Sequence, residues 1–195
     1  MKLSDSGHGD YEQPEPGSYA GVCFKLIDLG TQTSEYQSKP NVKRKMVIAW
    51  ELDEKMKDGK PFIVQSFYTQ SLHENATLRA HLEAWRGKPF TAEELQGFES
   101  KNLLGKACLL SLVKNDKGNV RVGGVAKLPK GMTAHVCTHD NVYFTMDPNE
   151  YDPKIYESLS DGFKKMIALS PEFRMITGAE TIPAVTNDAS EDVPF

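Results

Sequence analysis

Asn75-Ala76-Thr77-Leu78-Arg79-Ala80-His81-Leu82-Glu83-Ala84-Trp85 sets Leu78, Leu82 and Trp85 four and three residues apart, one apolar stripe along a helix face. Gly87 and Pro89 stop that helix, the first as a left-handed cap, the second by breaking the hydrogen-bond ladder. Its flanks are strand-like. Upstream, Gly17 to Leu29 alternates Ala20, Val22, Phe24 and Leu26 against Tyr19, Gly21, Cys23 and Lys25, the period of a half-buried strand. Gly30 to Asn41 is polar and reads as a loop. Val42 to Leu52 puts Val42, Met46, Ile48, Trp50 and Leu52 on one parity and Lys43, Lys45 and Glu51 on the other. Asp58-Gly59 is a hairpin signal, and Pro61 to Thr69 follows as a third strand. Downstream, Leu103 to Lys114 and Val120 to Leu128 are two more strands, joined across Asn115 to Asn119.

The helix therefore falls between strands three and four of five. That order is the order of the OB-fold, so the fold class expected is mainly β: a five-stranded OB-fold-like barrel over residues 14–130. A different small barrel or an α+β sheet shares the order. Residues 1–13 read as a flexible N-terminus. Residues 131–178 form an extension in which Lys154 to Leu169 aligns Ile155, Leu159, Phe163, Met166 and Ile167 on one helical stripe, expected to pack on the barrel rather than on a second subunit. His135 to Met146 fits either a short strand or an irregular crossing. From 179 to 195 the composition is that of a flexible acidic tail.

At 195 residues, 39% hydrophobic and 26% charged, the chain has the composition of an ordinary soluble domain with appendages. No apolar run approaches the roughly 20 residues of a membrane span, and Met1 to Asp10 lacks an export signal's basic-then-apolar order, so a cytoplasmic location is expected. The net charge of −4 conceals an asymmetry: residues 14–130 carry 18 Lys plus Arg against 13 Asp plus Glu, residues 131–195 carry 4 against 11. A basic body with an acidic tail suits a polyanion-binding domain whose tail competes for the same surface. Cys23 and Cys108 lie in apolar runs, as buried free thiols do. His135, Cys137 and His139 alternate and would face one way on a strand, within reach of a zinc ion. They lack the fourth ligand that structural zinc requires, so no metal or other cofactor is expected. Gly105-Lys106 and Gly87-Lys88 lack the rest of a phosphate-binding loop, and no GxSxG or HExxH motif occurs, so the chain is not expected to be an enzyme.

Coating a single strand needs cations for phosphates and flat rings for bases. Lys25 on strand one, Lys43 and Lys45 on strand two, and Arg121 and Lys127 on strand five share the outward parity, which places a groove across one side of the barrel. Tyr36 and Lys39 sit in the first long loop, which in OB-folds commonly closes over the ligand. Of the aromatics, Trp50 shares parity with the core positions Met46 and Ile48, and Trp85 ends the helix beside Leu82, leaving Tyr36, Phe67 and Tyr68 as candidate stacking rings. A run such as Lys43-Arg44-Lys45 can equally be a solvated face.

The tail adds Asp188, Glu191, Asp192, Val193, Pro194 and Phe195, an acidic stretch that ends in Pro-Phe. A ring that fills a small pocket, a carboxylate beside it, and a proline that restricts the chain beforehand make such a tip suited to docking. An acidic tail can also serve solubility alone. The tip resembles the C-terminal tip of bacterial single-stranded DNA-binding proteins, which docks on replication and repair enzymes. Leu103-Leu104-Gly105-Lys106 and the span Gly118 to Pro129 look like bacteriophage-encoded replication proteins with OB-folds. The resemblance implies sequence-independent binding and protection of single-stranded DNA in a bacterial host's cytoplasm during phage replication, recombination and repair. It also implies recruitment of replication and repair enzymes by the tip, with no membrane partner. The departure from the bacterial barrel leaves that family's tetramer open, with a dimer or monomer as compatible. Two alternatives share these features: an adaptor or inhibitor that occupies a host enzyme's docking pocket without touching DNA, and a strand-annealing recombination protein.

Overall fold

β1 (Gly17–Tyr36) and β2 (Lys39–Lys55) form one long antiparallel hairpin, in register from Gly21 opposite Leu52 to Tyr36 opposite Lys39. With β3 (Pro61–Thr69), β4 (Ala107–Lys114) and β5 (Val120–Ala126) the order across the sheet is β3-β2-β1-β4-β5, every adjacent pair antiparallel. The short β6 (Val142–Phe144) runs parallel to Lys25, Leu26 and Ile27, beyond the stretch of β1 that β4 occupies. The computed structural model describes residues 12–36 and 39–178, without the side chains of residues 35, 36 and 39. The fold is thus mainly β, a six-stranded sheet that stays open. β3 and β5 come near each other, but among the described residues no ladder joins them.

Two bulges in β1, between Cys23 and Lys25 and between Asp28 and Gly30, explain why its alternation misleads. The first switches the parity. Cys23 and Leu26 enter a core with Met46, Ile48, Trp50, Leu52 and Leu110, while Ile27 and Leu29 enter a second cluster on the other face. β1 is therefore buried on both faces, not half-buried. At the second bulge Gly30 adopts φ 70°, and its N–H donates to Asp28 Oδ1 at 2.9 Å.

The stretch Gly30 to Asn41, expected as a loop, is mostly strand. Thr31 to Ser34 pair with Asn41 to Arg44. Both faces are polar there because the hairpin arm runs beyond the core, and a strand without apolar alternation carries no period to read.

α1 (Thr77–Arg86) buries Leu78, Leu82 and Trp85 in the first core and ends at Gly87, which at φ 69° returns its N–H to Glu83 O at 2.8 Å. α2 (Ala92–Gln96), held by a Thr91–Glu94 capping box, and a 3-10 turn (Ser100–Leu103) lead into β4.

The single helix expected over 154–169 is two: α3 (Pro153–Ser158) and α4 (Asp161–Ala168), followed by α5 (Pro171–Thr177). Leu159 and Ser160 are extended, with ψ of 154° and 152°, which divides the helix. The apolar stripe survives the break. Ile155, Leu159, Phe163, Met166 and Ile167 all pack with Ile27, Leu29, Val47 and Phe144, so the extension covers the outer face of the sheet. Gln32 ties it further by donating to Met166 O, and Glu172 accepts from Thr31 N and Oγ1. No described helix is long and apolar enough to cross a membrane.

Candidate nucleic-acid interface

The unpaired gap between β3 and β5 is a cleft of about 670 Å3. β2 contributes Lys43 and Lys45, β3 Ser66 to Thr69, β5 Arg121 to Gly123, and α1 with its approach contributes Ser71, His73, Asn75, Thr77 and His81. No Asp or Glu lines it among the described residues. The register explains the grouping: Lys45 lies opposite Thr69 and Val47 opposite Phe67, so the outward parity of β2 carries Lys43 and Lys45 to the same side as Phe67. Lys45 Nζ donates to Thr69 Oγ1 at 3.0 Å, and neither Lys43 nor Arg121 has a carboxylate partner among the described residues.

Phe67 is 52% exposed, propped by Phe163 at a centroid distance of 6.4 Å. About half of its surface is open to solvent. Tyr68 is the reverse case and corrects the sequence expectation: it is 3% exposed, lies opposite Met46 on the inward parity, and belongs to the first core. Burial pushes its hydroxyl up to about 12. The hydroxyl meets His81 Nδ1 at 2.9 Å, with the rings edge-on at 5.6 Å. Burial lowers the pKa of His81, which favours a neutral imidazole that accepts the phenol proton. Tyr68 thus props the cleft wall and offers no face for stacking.

The other expected contacts disperse. Lys25 stands on β1 beside β6, half-buried, its ammonium 5.4 Å from the Phe24 ring and its pKa lowered by burial. Lys127 follows β5 at the far end of α1, its N–H bonded to Ala84 O at 2.9 Å, and lines a different groove. Neither lines the cleft, so the expected grouping on strands one, two and five becomes one on β2, β3 and β5. Tyr36 and Lys39 pair across the hairpin end, with side chains outside the described residues. Asp188, Glu191, Asp192, Val193, Pro194 and Phe195 also lie outside the described residues.

His135, Cys137 and His139 do converge, on a carboxylate. Glu51, fully buried on the outer face of β2, accepts from Thr138 N at 2.9 Å, Thr138 Oγ1 at 2.8 Å and His139 N at 3.1 Å. His139 Nδ1 contacts it directly, His135 Nε2 lies 3.1 Å away, and Cys137 Sγ 3.5 Å. A carboxylate only accepts, so His135 Nε2 and His139 Nδ1 act as donors to it. Desolvation would raise its pKa; the hydrogen bonds from His139 and Thr138 more than reverse this and hold it at about 2. Among the described residues no three His, Cys, Asp or Glu side chains are arranged to hold a metal ion. The cluster pins residues 135–139 to the sheet.

Sequence reasoning missed the hydroxyl and amide lining of the cleft, Ser66, Thr69, Asn75 and Thr77, and the anchoring role of Glu51. A carboxylate between Trp50 and Leu52 was the available signal, because a strand buried on both faces keeps a charge only where partners meet it. Compared with family models, curated proteins and solved structures, the chain matches none.

Proposed function

We propose that the chain binds single-stranded DNA without sequence preference, in the cleft between β2, β3 and β5. The observation that carries the reading is Phe67, a half-exposed ring beside Lys43, Lys45 and Arg121 in a cleft that no Asp or Glu lines among the described residues. The cations meet phosphates and the ring takes one base face, a combination indifferent to base identity. The hydroxyls and amides of the cleft supply further donors for the backbone. On this reading the sheet is an OB-fold-like barrel left open along the β3–β5 seam, with α1 between its third and fourth strands and the ligand in the seam.

The biological role follows from the same chemistry. The protein is a phage-type single-strand coating protein and not an enzyme: it removes hairpins, blocks nucleases, and keeps strands available for replication, recombination and repair in the host cytoplasm. Its Glu191-Asp192-Val193-Pro194-Phe195 tip recruits replication and repair enzymes.

Fluorescence anisotropy of labelled oligo-dT, with duplex DNA and single-stranded RNA as competitors, tests the reading. The expected result is tight binding that duplex does not displace, with a log–log salt slope near −2 if three cations each neutralise a phosphate at about −0.7 apiece. No binding, or binding indifferent to salt, would overturn it.

A further inference from the structure

A second groove, of about 480 Å3, lies at the C-terminal end of α1, where Trp85 and Arg86 line it, whereas the cleft is lined by Thr77, Leu78 and His81 of the same helix. Phe98, Leu103 and Leu128 are among its apolar lining and Arg86, Lys88, Lys106 and Lys127 its charged lining, with no acidic residue there among the described residues. Lys106 and Lys127 are exposed and have no carboxylate partner among the described residues. Arg86 stacks over Phe90 and Phe98, 4.3 and 5.5 Å from their centroids, and pairs with Glu94, yet its Nη1 meets no acceptor among the described residues. Lys88, like Arg86, pairs with Glu94, at 3.4 Å, so the groove offers an apolar seat whose uncompensated cations are Lys106 and Lys127.

A nucleic-acid strand fits this seat poorly. Trp85 is buried, its indole N–H donated to Ala107 O at 2.8 Å, and Phe98, edge-on to Phe90 at 5.1 Å with Arg86 beside it, is only part-exposed, so the seat suits a single apolar anchor better than successive stacked bases. The complementary chemistry is several carboxylates next to one apolar anchor. Residues 188–195 have it: Asp188, Glu191 and Asp192, then Val193-Pro194-Phe195. The 17 residues after Gly178 span up to about 55 Å when extended, whereas a globule of about 165 residues has a radius of gyration of about 15 Å, so every part of the surface is in reach. Tethering raises the local concentration of the segment to the millimolar range, which favours a chain's own tail over a neighbour's.

We propose that residues 188–195 dock in cis in this groove, with the Phe195 ring on Phe98 and Leu103 and the carboxylates on Lys106, Lys127 and Lys88. The docked segment then leaves the cleft free, and DNA and tail occupy separate sites on one molecule. A partner enzyme has to compete with the groove for the tip, so the groove regulates recruitment. The docking itself does not depend on the cleft binding DNA; the separation of the two sites and the control of recruitment rest on the proposed function.

Zero-length carbodiimide cross-linking of the full-length chain at low concentration, with the cross-linked peptides mapped by mass spectrometry in the monomer band, tests it. Cross-links from Glu191 or Asp192 to Lys106, Lys127 or Lys88 are expected. Oligo-dT should leave them in place, and Phe195→Ala should reduce them several-fold while thermal unfolding is unchanged. Cross-links to Lys43 or Lys45, cross-links confined to covalent dimers, or none at all would overturn the proposal. So would a yield insensitive to Phe195→Ala, which would leave charge attraction without a seated ring.

Discussion

Phe67 and Tyr68 are neighbours on one strand, and the side of the sheet each faces gives them opposite roles. Stacking a base on an aromatic side chain contributes about 1–3 kcal/mol, so Phe67→Ala should weaken oligo-dT binding by roughly 5- to 150-fold. Because the ring is half exposed, urea unfolding should hardly move. An unchanged affinity would remove Phe67 from the site. The two rings were indistinguishable in the sequence, because Pro61 to Thr69 carries apolar residues on both parities; only pairing with β2 assigns them. Lys43, Lys45 and Arg121 were legible because parity alone sets a strand residue's side. Lys25 keeps the outward side that its parity gives but stands beside β6, away from the cleft, and Lys127 lies past the end of β5.

Glu51 gives the clearest pH signature of any single residue. Its folded pKa of about 2 lies below the ordinary 4.5, so between these values the unfolded chain binds more protons than the folded one. The stability contributed by its hydrogen bonds is complete above about 4.5 and is lost as pH falls toward 2. Thermal melts of wild type and Glu51→Gln should therefore converge as pH drops through this window, with the variant markedly less stable at pH 7. Parallel curves would mean that the carboxylate does not hold residues 135–139.

At the scale of elements, the junction of β1 with the C-terminal extension turns on Gly30. A Cβ there would collide with Ser170 and Met146, and φ 70° is strained for any side chain. Gly30→Ala should lower stability by about 2 kcal/mol or more, read as a lower urea midpoint. A midpoint within error of wild type would mean that α4 and α5 are not seated against β1 as described. The elements legible from sequence were those with one buried face and a clear stop, α1 above all, where three apolar residues and Gly87 define the helix. The β1–β2 hairpin arm was missed because it has no buried face. The break between α3 and α4 was missed because the apolar stripe continues across two extended residues.

Across the whole molecule, charge is partitioned between a basic body and an acidic C-terminal third, and the structure divides the basic part again. Lys43, Lys45 and Arg121 face the open seam, whereas Arg86, Lys88, Lys106 and Lys127 line the groove at the C-terminal end of α1. The seam itself could not be read from strand order, since the same order serves a closed barrel and an open sheet, and only the missing β3–β5 ladder separates them. That seam is where the DNA reading is most exposed to disproof. The most direct measurement is ultraviolet cross-linking of an oligonucleotide carrying 5-iodouracil to the full-length chain, with the modified residue identified by mass spectrometry. The account predicts an adduct on Phe67. An adduct confined to the groove around Lys106 and Lys127, or no adduct at all, would contradict it.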